Sequence, residues 1–207
     1  LEFILKLFDF LKKLKININN YSFIITMYDP IGKILMNWRI KKVLPQINEN
    51  HLDIGCGSNK LSKKYKIKNK EAISIGIDVH PWKNVDKIIK DSSNLSYDDN
   101  YFDTITIVAS LNHIINRHET LKECNRLLKD DGRLIITMIP QKFWKIWHKL
   151  RKNYDLDQKI RKMKFGEVYG LNSAQIKSLL KSSGFELINR KRFMFGMNNL
   201  YVASKIH

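Results

Sequence analysis

The sequence predicts an α/β fold built on a mostly parallel sheet with helices on both faces. From residue 50 onward, short apolar segments alternate with segments of helical periodicity, and this alternation is typical of parallel sheets. The closing stretch FELINRKRFMFGMNNLYVAS reads as two strands around a turn at residues 196–199, which indicates an antiparallel addition at one edge. The 207 residues are enough for one sizeable domain with its own core.

Two helices are expected before the sheet. Residues 1–17 place apolar side chains at helical spacing and basic ones opposite. This segment is interpreted as a helix packed on the main domain, or alternatively as an interfacial helix that touches anionic lipid. A second helix should begin after Pro30 and end near Val43. We therefore divide the chain into a helical cap over residues 1–44 and one domain over residues 45–207.

Four strands are predicted in the first half of that domain. They are HLDI leading into Gly55, AISIGID over residues 72–78, a weaker strand over residues 86–90, and FDTITIVAS over residues 102–110. Ligands of such sheets bind at the carboxyl ends of the strands. The polar and small residues at these ends are therefore the candidates for a binding site.

A helix, a turn and a fifth strand should follow. The helix is expected over residues 117–129, capped by Asn116 with Glu119 at its third position. Asp130-Asp131-Gly132 is interpreted as a turn before the strand RLIITMI. A further helix should begin at a cap on Asn172.

A helical insertion is predicted at about residues 141–165. Its apolar side chains share one face, and Lys and Arg dominate elsewhere. Such a segment offers an aromatic floor and a basic rim, which would suit an anionic ligand such as a sugar phosphate or a lipid-linked glycan. The alternative is a surface helix with a solvated basic face. The apolar face holds Phe143, Ile146, Trp147 and Leu150.

The bulk composition limits the classes of function. The net charge of +17 favours a nucleic-acid or anionic membrane partner, although most of the excess is lysine, whereas phosphate recognition relies more on arginine. The two cysteines, Cys56 and Cys124, exclude a disulfide framework or a cysteine-rich zinc site, and no metal site is expected. No apolar stretch approaches a bilayer-spanning length of roughly 20 residues. We expect a cytoplasmic protein, with possible peripheral contact at the inner face of the membrane through residues 1–17.

The stretch DIGCGSNK, residues 53–60, carries the most informative motif. A dinucleotide fingerprint would need a glycine where Lys60 stands, and the P-loop pattern is absent. The acid-x-G-x-G pattern resembles the first motif of class I S-adenosylmethionine (SAM)-dependent methyltransferases, with Asn59 where many members carry a third glycine. Three later stretches, SIGID, SYDDNYFDTITIVAS and LLKDDGRLIIT, resemble the same family in the same order. The resemblance covers residues 45–140 closely. The sequence as a whole is similar to those of small bacterial methyltransferases of glycan assembly.

The resemblance implies a Rossmann-like, seven-stranded, mostly parallel sheet with an antiparallel C-terminal edge strand, and SAM as the cofactor. Asp53 would hold the cationic end of SAM, the glycines would let the backbone approach, and Asp78 would accept both ribose hydroxyls. Val79 would cover one adenine face and Asp91 would accept the adenine amino hydrogens. For each acid, the alternative is a cap or turn residue. The cofactor-binding residues are expected to be Asp53, Gly55, Cys56, Gly57, Asp78, Val79, Asp91, Ser92 and Ala109.

The acceptor should lie beyond the fourth strand, where the resemblance places acceptor-facing residues. His113 is the candidate catalytic base, with Asn112 as its orienting partner, because methylation at oxygen requires a base near the operating pH. The alternative is a structural histidine at the start of a helix.

The predicted function is SAM-dependent methyl transfer to a small-molecule or glycan-type acceptor at oxygen. The fourth strand lacks the Asn-Pro-Pro-Tyr-type motif used on exocyclic base amines. An RNA methyltransferase and a non-catalytic basic module that binds the membrane surface are the alternatives.

Overall fold

The computed structural model describes residues 30–141 and 165–207. The helix predicted over residues 1–17 and the apolar face of the predicted insertion lie outside the described residues, so the division into a cap and a domain stays a prediction. Within the two described ranges, no helix has the length and hydropathy of a bilayer-spanning segment.

Seven strands form one sheet in the order β3-β2-β1-β4-β5-β7-β6. Every neighbouring pair from β3 to β5 is parallel, and β7 runs antiparallel to both of its neighbours. The predicted fold class is confirmed, and the structure adds that the antiparallel strand lies one place in from the edge strand β6. The strands are β1 (His51–Ile54), β2 (Ser74–Asp78), β3 (Lys87–Ile88), β4 (Phe102–Val108), β5 (Leu128–Met138), β6 (Phe185–Phe193) and β7 (Asn198–Lys205).

Four α-helices and two short 3-10 turns accompany the sheet in the described residues. The helices are α1 (Pro30–Val43), α2 (Lys60–Lys68), α3 (Arg117–Leu127) and α4 (Ser173–Ser182), and the turns are Leu44–Gln46 and Leu111–His113. The predicted cap of α4 is confirmed as a reciprocal pair of hydrogen bonds. Oδ1 of Asn172 accepts from the backbone N–H of Gln175, and Oε1 of Gln175 accepts from the backbone N–H of Asn172.

The helices pack on both faces of the sheet, as predicted. Leu121 of α3 and Ile176 of α4 share one buried cluster with Leu134 and Ile136 of β5. On the opposite face, Ile135 packs in a second cluster with residues of α1 and α2. This alternation along β5 follows from the two-residue period of a strand, and each such buried aliphatic side chain contributes roughly 1.5–3 kcal/mol.

Two local predictions are wrong. Asn116 stands at the N-cap of α3, but its Oδ1 accepts no capping bond, and its Nδ2 donates to the carboxylate of Asp91. Asp130-Asp131-Gly132 does not form a turn that precedes the fifth strand, since β5 already begins at Leu128. The pairing of β4 with β5 slips between Phe102 and Thr104, so the extra residues are absorbed as an irregularity within a continuous strand.

Candidate active site

The two glycines after β1 form a tight loop at the carboxyl end of the sheet. Gly55 and Gly57 have φ values of +70° and +53°, which favour glycine over other residues. A Cβ on Gly55 would lie 2.6 Å from the Cβ of Ser110, whereas no atom lies within 4 Å of a Cβ on Gly57. The Ser110 hydroxyl donates to the Ile54 carbonyl at 3.0 Å. Gly55 is therefore required by packing against the end of β4, and Gly57 leaves open space for a ligand.

Asp78 at the end of β2 faces this loop. Its Oδ2 accepts from the Gly57 amide and its Oδ1 accepts from the His80 amide, both at 2.9 Å. The carboxylate is 8% exposed and retains lone pairs beyond the two that these bonds use. Val79 beside it is half exposed. The structure thus places the glycine loop next to Asp78 and Val79 at the carboxyl end of the sheet.

Asp53 lies beneath the loop at the centre of a buried polar chain. Its Oδ1 accepts from the Thr106 hydroxyl at 2.6 Å, and Thr106 Oγ1 lies 2.9 Å from Nε2 of His51. Burial raises the pKa of Asp53 to about 7, and the charge of Asp78 adds to this while the Thr106 bond opposes it. Burial also lowers the pKa of His51 to about 3, so His51 is neutral in this chain.

Cys56 lies between the two glycines and is half buried. Burial raises the pKa of its thiol, and the charges of Asp53 and Asp78 raise it further. A protonated thiol is a poor nucleophile. We therefore expect Cys56 to contribute its backbone to the loop rather than to act as a nucleophile.

Asp91 and Ser92, at the third predicted strand end, both make hydrogen bonds to side chains at the start of α3. The exposed Asp91 carboxylate accepts two contacts from the Asn116 amide, which lowers the pKa of Asp91. The Ser92 hydroxyl lies 2.9 Å from Thr120 Oγ1, so this buried side chain is held against α3. Ala109 adopts φ +55° at the end of β4, and its amide donates to the Thr137 carbonyl at 3.1 Å.

His113 follows the end of β4 and is paired with a residue that the sequence did not indicate. Its Nδ1 lies 2.8 Å from Oε2 of Glu167, and the Glu167 side chain is 1% exposed. Asn112, predicted as the orienting partner, contributes its carbonyl, which accepts from the Val168 amide at 3.0 Å. The pairing position therefore belongs to Glu167, because residues 165–170 return to the end of β4.

Arg117 fastens this returning segment to the end of β4. Its guanidinium donates to the carbonyls of Leu111 and Asn112 at 3.1 Å and to that of Gly166 at 2.8 Å. Burial lowers the pKa of Arg117, and Glu167 acts in the opposite direction. Three carbonyl contacts to one rigid guanidinium hold the His113–Glu167 pair in a defined position.

No group of three potential ligands for a metal ion occurs in residues 30–141 and 165–207. The polar groups at the carboxyl edge instead form two neighbouring sets, the loop set around Gly57 and Asp78 and the pair of His113 with Glu167. Ser110 connects them, since it touches Gly55 and lies three residues before His113. This arrangement suits a cofactor next to an acceptor with an exchangeable proton.

Comparison with known proteins supports this interpretation. A family described as "Methyltransferase domain" matches residues 8–189. A ubiquinone/menaquinone biosynthesis C-methyltransferase of Rickettsia prowazekii is 24% identical, with 96% of each chain covered. The corresponding protein of Paraburkholderia phymatum is 28% identical over 51% of this chain, and the chain spans 47% of that relative's length.

Solved structures give the same fold. The 1,6-didemethyltoxoflavin-N1-methyltransferase of Burkholderia thailandensis, solved with 1,6-didemethyltoxoflavin and S-adenosylhomocysteine bound, superposes with a TM-score of 0.59 at 14% identity. The match covers 83% of this chain and 78% of that one. The chain belongs to the methyltransferase domain family and is an enzyme that uses SAM as its cofactor.

Proposed function

We propose that this enzyme methylates a small molecule at a hydroxyl oxygen, with His113 as the base that removes the hydroxyl proton. The observation that carries the proposal is the pairing of His113 with the buried Glu167 at 2.8 Å. A histidine held by a buried carboxylate at the end of β4 has the arrangement of a general base and its orienting group.

The proposed cofactor residues are those of the loop set. SAM supplies a methyl group that is already activated on a sulfonium. The free lone pairs of Asp78 would accept the two ribose hydroxyls, the open space at Gly57 would admit the backbone approach, and Val79 would cover the adenine. Asp91 is exposed and already accepts from Asn116, so its remaining lone pairs would serve the adenine amino group.

His113 can act because Glu167 fixes its tautomer. When the Nδ1–H of His113 donates to Glu167, Nε2 keeps its lone pair free for an incoming proton. The buried carboxylate also stabilises the imidazolium that forms when the proton arrives. The remaining 22% exposure of the His113 side chain leaves room for an acceptor to approach.

Methylation at a ring carbon is the second candidate. The relatives described above are named as C-methyltransferases of ubiquinone and menaquinone biosynthesis. Loss of a phenolic proton raises the electron density at the neighbouring ring carbons, so a base at His113 would serve that reaction as well. A glycan-type hydroxyl and RNA are the other methyl acceptors that the test must distinguish.

The test is transfer of a labelled methyl group from SAM to three acceptors: a quinol with an isoprenoid tail, a phosphorylated sugar and total RNA. Carbon NMR of the product distinguishes an O-methyl from a C-methyl group. We expect a small-molecule product and at least a hundredfold loss of rate in His113→Gln. Transfer to RNA alone, or an unchanged rate in His113→Gln with normal SAM binding, would overturn the proposal.

A further inference from the structure

We infer that the acceptor carries an oxyanion, a carboxylate or a phosphate, which binds in a basic cavity at the carboxyl ends of β5 and β6. This inference rests on the proposed function, because it concerns the acceptor of that transfer. The cavity has a volume of about 470 Å³, which lies within the range of small-molecule sites. It is lined by Pro140, Gln141, Asn172, Ser173, Arg190, Arg192, Phe195, Gly196 and Asn199.

Two arginines give this cavity its charge. Arg190 and Arg192 are two residues apart on β6, so their side chains emerge on the same face of the strand. The nine lining residues include no aspartate or glutamate. Among the described residues, neither arginine forms an ion pair with an acid. The two positive charges are therefore available to a ligand.

Arg190 is held in place before any ligand arrives. Its Nε and Nη2 donate to Oδ1 of the buried Asn199 at 3.1 and 3.0 Å. The guanidinium also lies over the ring of Tyr201, 5.8 Å from its centroid. These contacts use one edge of the guanidinium, and the Nη1 edge remains for a planar, bidentate contact with an oxyanion.

Phe195 supplies an apolar contact beside the arginines. It lies in the β6–β7 turn with φ +55°, and its ring is 55% exposed. The Trp38 ring of α1 packs edge-on against it at 5.5 Å, which limits the positions that the ring can adopt. A ligand with an apolar body and an anionic end would match both halves of the cavity.

A short segment of chain connects the cavity to the partner of His113. Glu167, the partner of His113, is five residues before Asn172 at the cavity rim. Five residues span at most roughly 18 Å even when fully extended. Gly170 between them packs on the residue that follows β5, since a Cβ there would lie 2.5 Å from the Ile139 carbonyl oxygen. The Cα atoms of Glu167 and Asn172 therefore lie within roughly 18 Å of each other, and the segment between them runs from the His113 pair to the cavity.

Phenyl phosphate is a suitable probe, because it combines an aromatic ring with an oxyanion. We would titrate it into the full chain at low salt and follow its binding by phosphorus NMR, with benzoate in a parallel titration and phenol as the uncharged reference. The variants are Arg190→Gln and Arg192→Gln. The matched control is Arg133→Gln, an exposed arginine in the middle of β5 that does not line the cavity.

We expect saturable binding of phenyl phosphate, weakened at least fivefold by each of the two cavity variants and unchanged by Arg133→Gln. The stronger of the phosphate and carboxylate probes identifies the oxyanion. Absence of saturable binding by either anion, equal weakening in all three variants, or phenol binding as tightly as phenyl phosphate would overturn the inference.

A SAM titration on the same samples separates this inference from the proposed function. If SAM binds and neither anion does, only the anionic acceptor is wrong. If SAM does not bind, the proposed function fails, and with it the assignment of the cavity to an acceptor.

Discussion

The side chain of Asn59 occupies the space that a side chain on Gly76 would need. A Cβ on Gly76 would lie 2.0 Å from Oδ1 of Asn59. The Asn59 amide donates to the Asp86 carboxylate at 2.7 Å, and the same carboxylate accepts from the Gly76 amide at 2.8 Å. Asn59 itself has φ +54°, a conformation that asparagine tolerates better than most residues. The space beside Gly76 of β2 is thus filled by the Asn59 side chain.

This packing predicts that Gly76→Ala destabilises the fold by roughly 3 kcal/mol. The added methyl group must displace Asn59, which combines overpacking with the loss of a buried hydrogen bond. Urea unfolding of the purified chain measures the effect. The matched control is Gly196→Ala, where φ is +83° and no atom lies within 4 Å of the added Cβ, so only backbone strain of about 1 kcal/mol is expected. Equal costs in the two variants would contradict the role assigned to Asn59.

Replacing Asp78 tests the cofactor site. We expect Asp78→Ala to weaken SAM binding at least tenfold, about 1.4 kcal/mol, because the variant removes the oxygens proposed for the ribose hydroxyls and the partner of the Gly57 amide. Calorimetric titration with SAM gives the affinity. Asp131→Ala removes the same charge from an exposed position on β5 and should leave the affinity unchanged. A wild-type affinity in Asp78→Ala would remove this residue from the site.

The buried Asp53 predicts that SAM binding releases a proton. A pKa of about 7 leaves Asp53 largely protonated at pH 6, and a cationic ligand nearby favours the ionised form. The binding enthalpy of SAM at pH 6 should therefore vary with the ionisation enthalpy of the buffer. S-adenosylhomocysteine lacks the sulfonium charge, so its binding should release a smaller fraction of a proton. Asp53→Asn should abolish the dependence of the SAM binding enthalpy on the buffer. A buffer-independent binding enthalpy for the wild type would refute the predicted proton release.

The same group has a defined effect on stability. The folded-state pKa of Asp53 is raised from 3.8 to about 7, so the folded protein retains this proton over a range in which the unfolded chain has lost it. The contribution of Asp53 to stability is therefore greatest below about pH 4 and decreases as the pH rises to about 7. Urea unfolding of wild type and Asp53→Asn across this range should show the wild type losing stability relative to the variant. A constant difference would show that the carboxyl group titrates normally in the fold.

Much of the fold was predictable because strand and helix periodicities are local. The residues Gly55, Gly57 and Asp78 were singled out through a motif resemblance, and the structure places the loop of the two glycines against the Asp78 carboxylate. Glu167 was not singled out, because it lies 54 residues from His113 and follows a segment whose pattern gives no indication of where it returns. Thr106 is one of two threonines among the aliphatic residues of β4, and the strand pattern alone does not show which of them meets Asp53.

Other features could not be predicted for a physical reason. Asp130-Asp131-Gly132 has the composition of a turn, yet a strand irregularity uses the same residue types, and only the pairing of β5 with β4 decides between them. The side-chain orientation of Asn116 depends on Asp91, which is 25 residues away in the sequence and accepts from its Nδ2, so the missing capping bond could not be read from the local pattern. The basic cavity is assembled from separate segments of the chain, so no single stretch of sequence carries its signature.

Glu167 is predicted to be a positioning residue rather than only a structural one. Glu167→Gln keeps an oxygen that can accept from Nδ1 of His113 but removes the charge that stabilises the imidazolium. We expect kcat to fall by about tenfold with KM and SAM affinity unchanged, and by a further factor in Glu167→Ala, where the tautomer is no longer fixed. Glu186→Gln, on the exposed face of β6, is the control and should retain the wild-type rate.

A spectroscopic readout tests the same role without an identified acceptor. Nitrogen-15 NMR of the His113 ring distinguishes the Nδ1–H from the Nε2–H tautomer. Wild type should show the Nδ1–H form, because Glu167 Oε2 lies 2.8 Å from that nitrogen, and Glu167→Ala should show a mixture of both. If the tautomer is the same in both proteins while the rate falls, Glu167 acts only by supporting the fold, since removing its carboxylate would then leave the base itself unaltered.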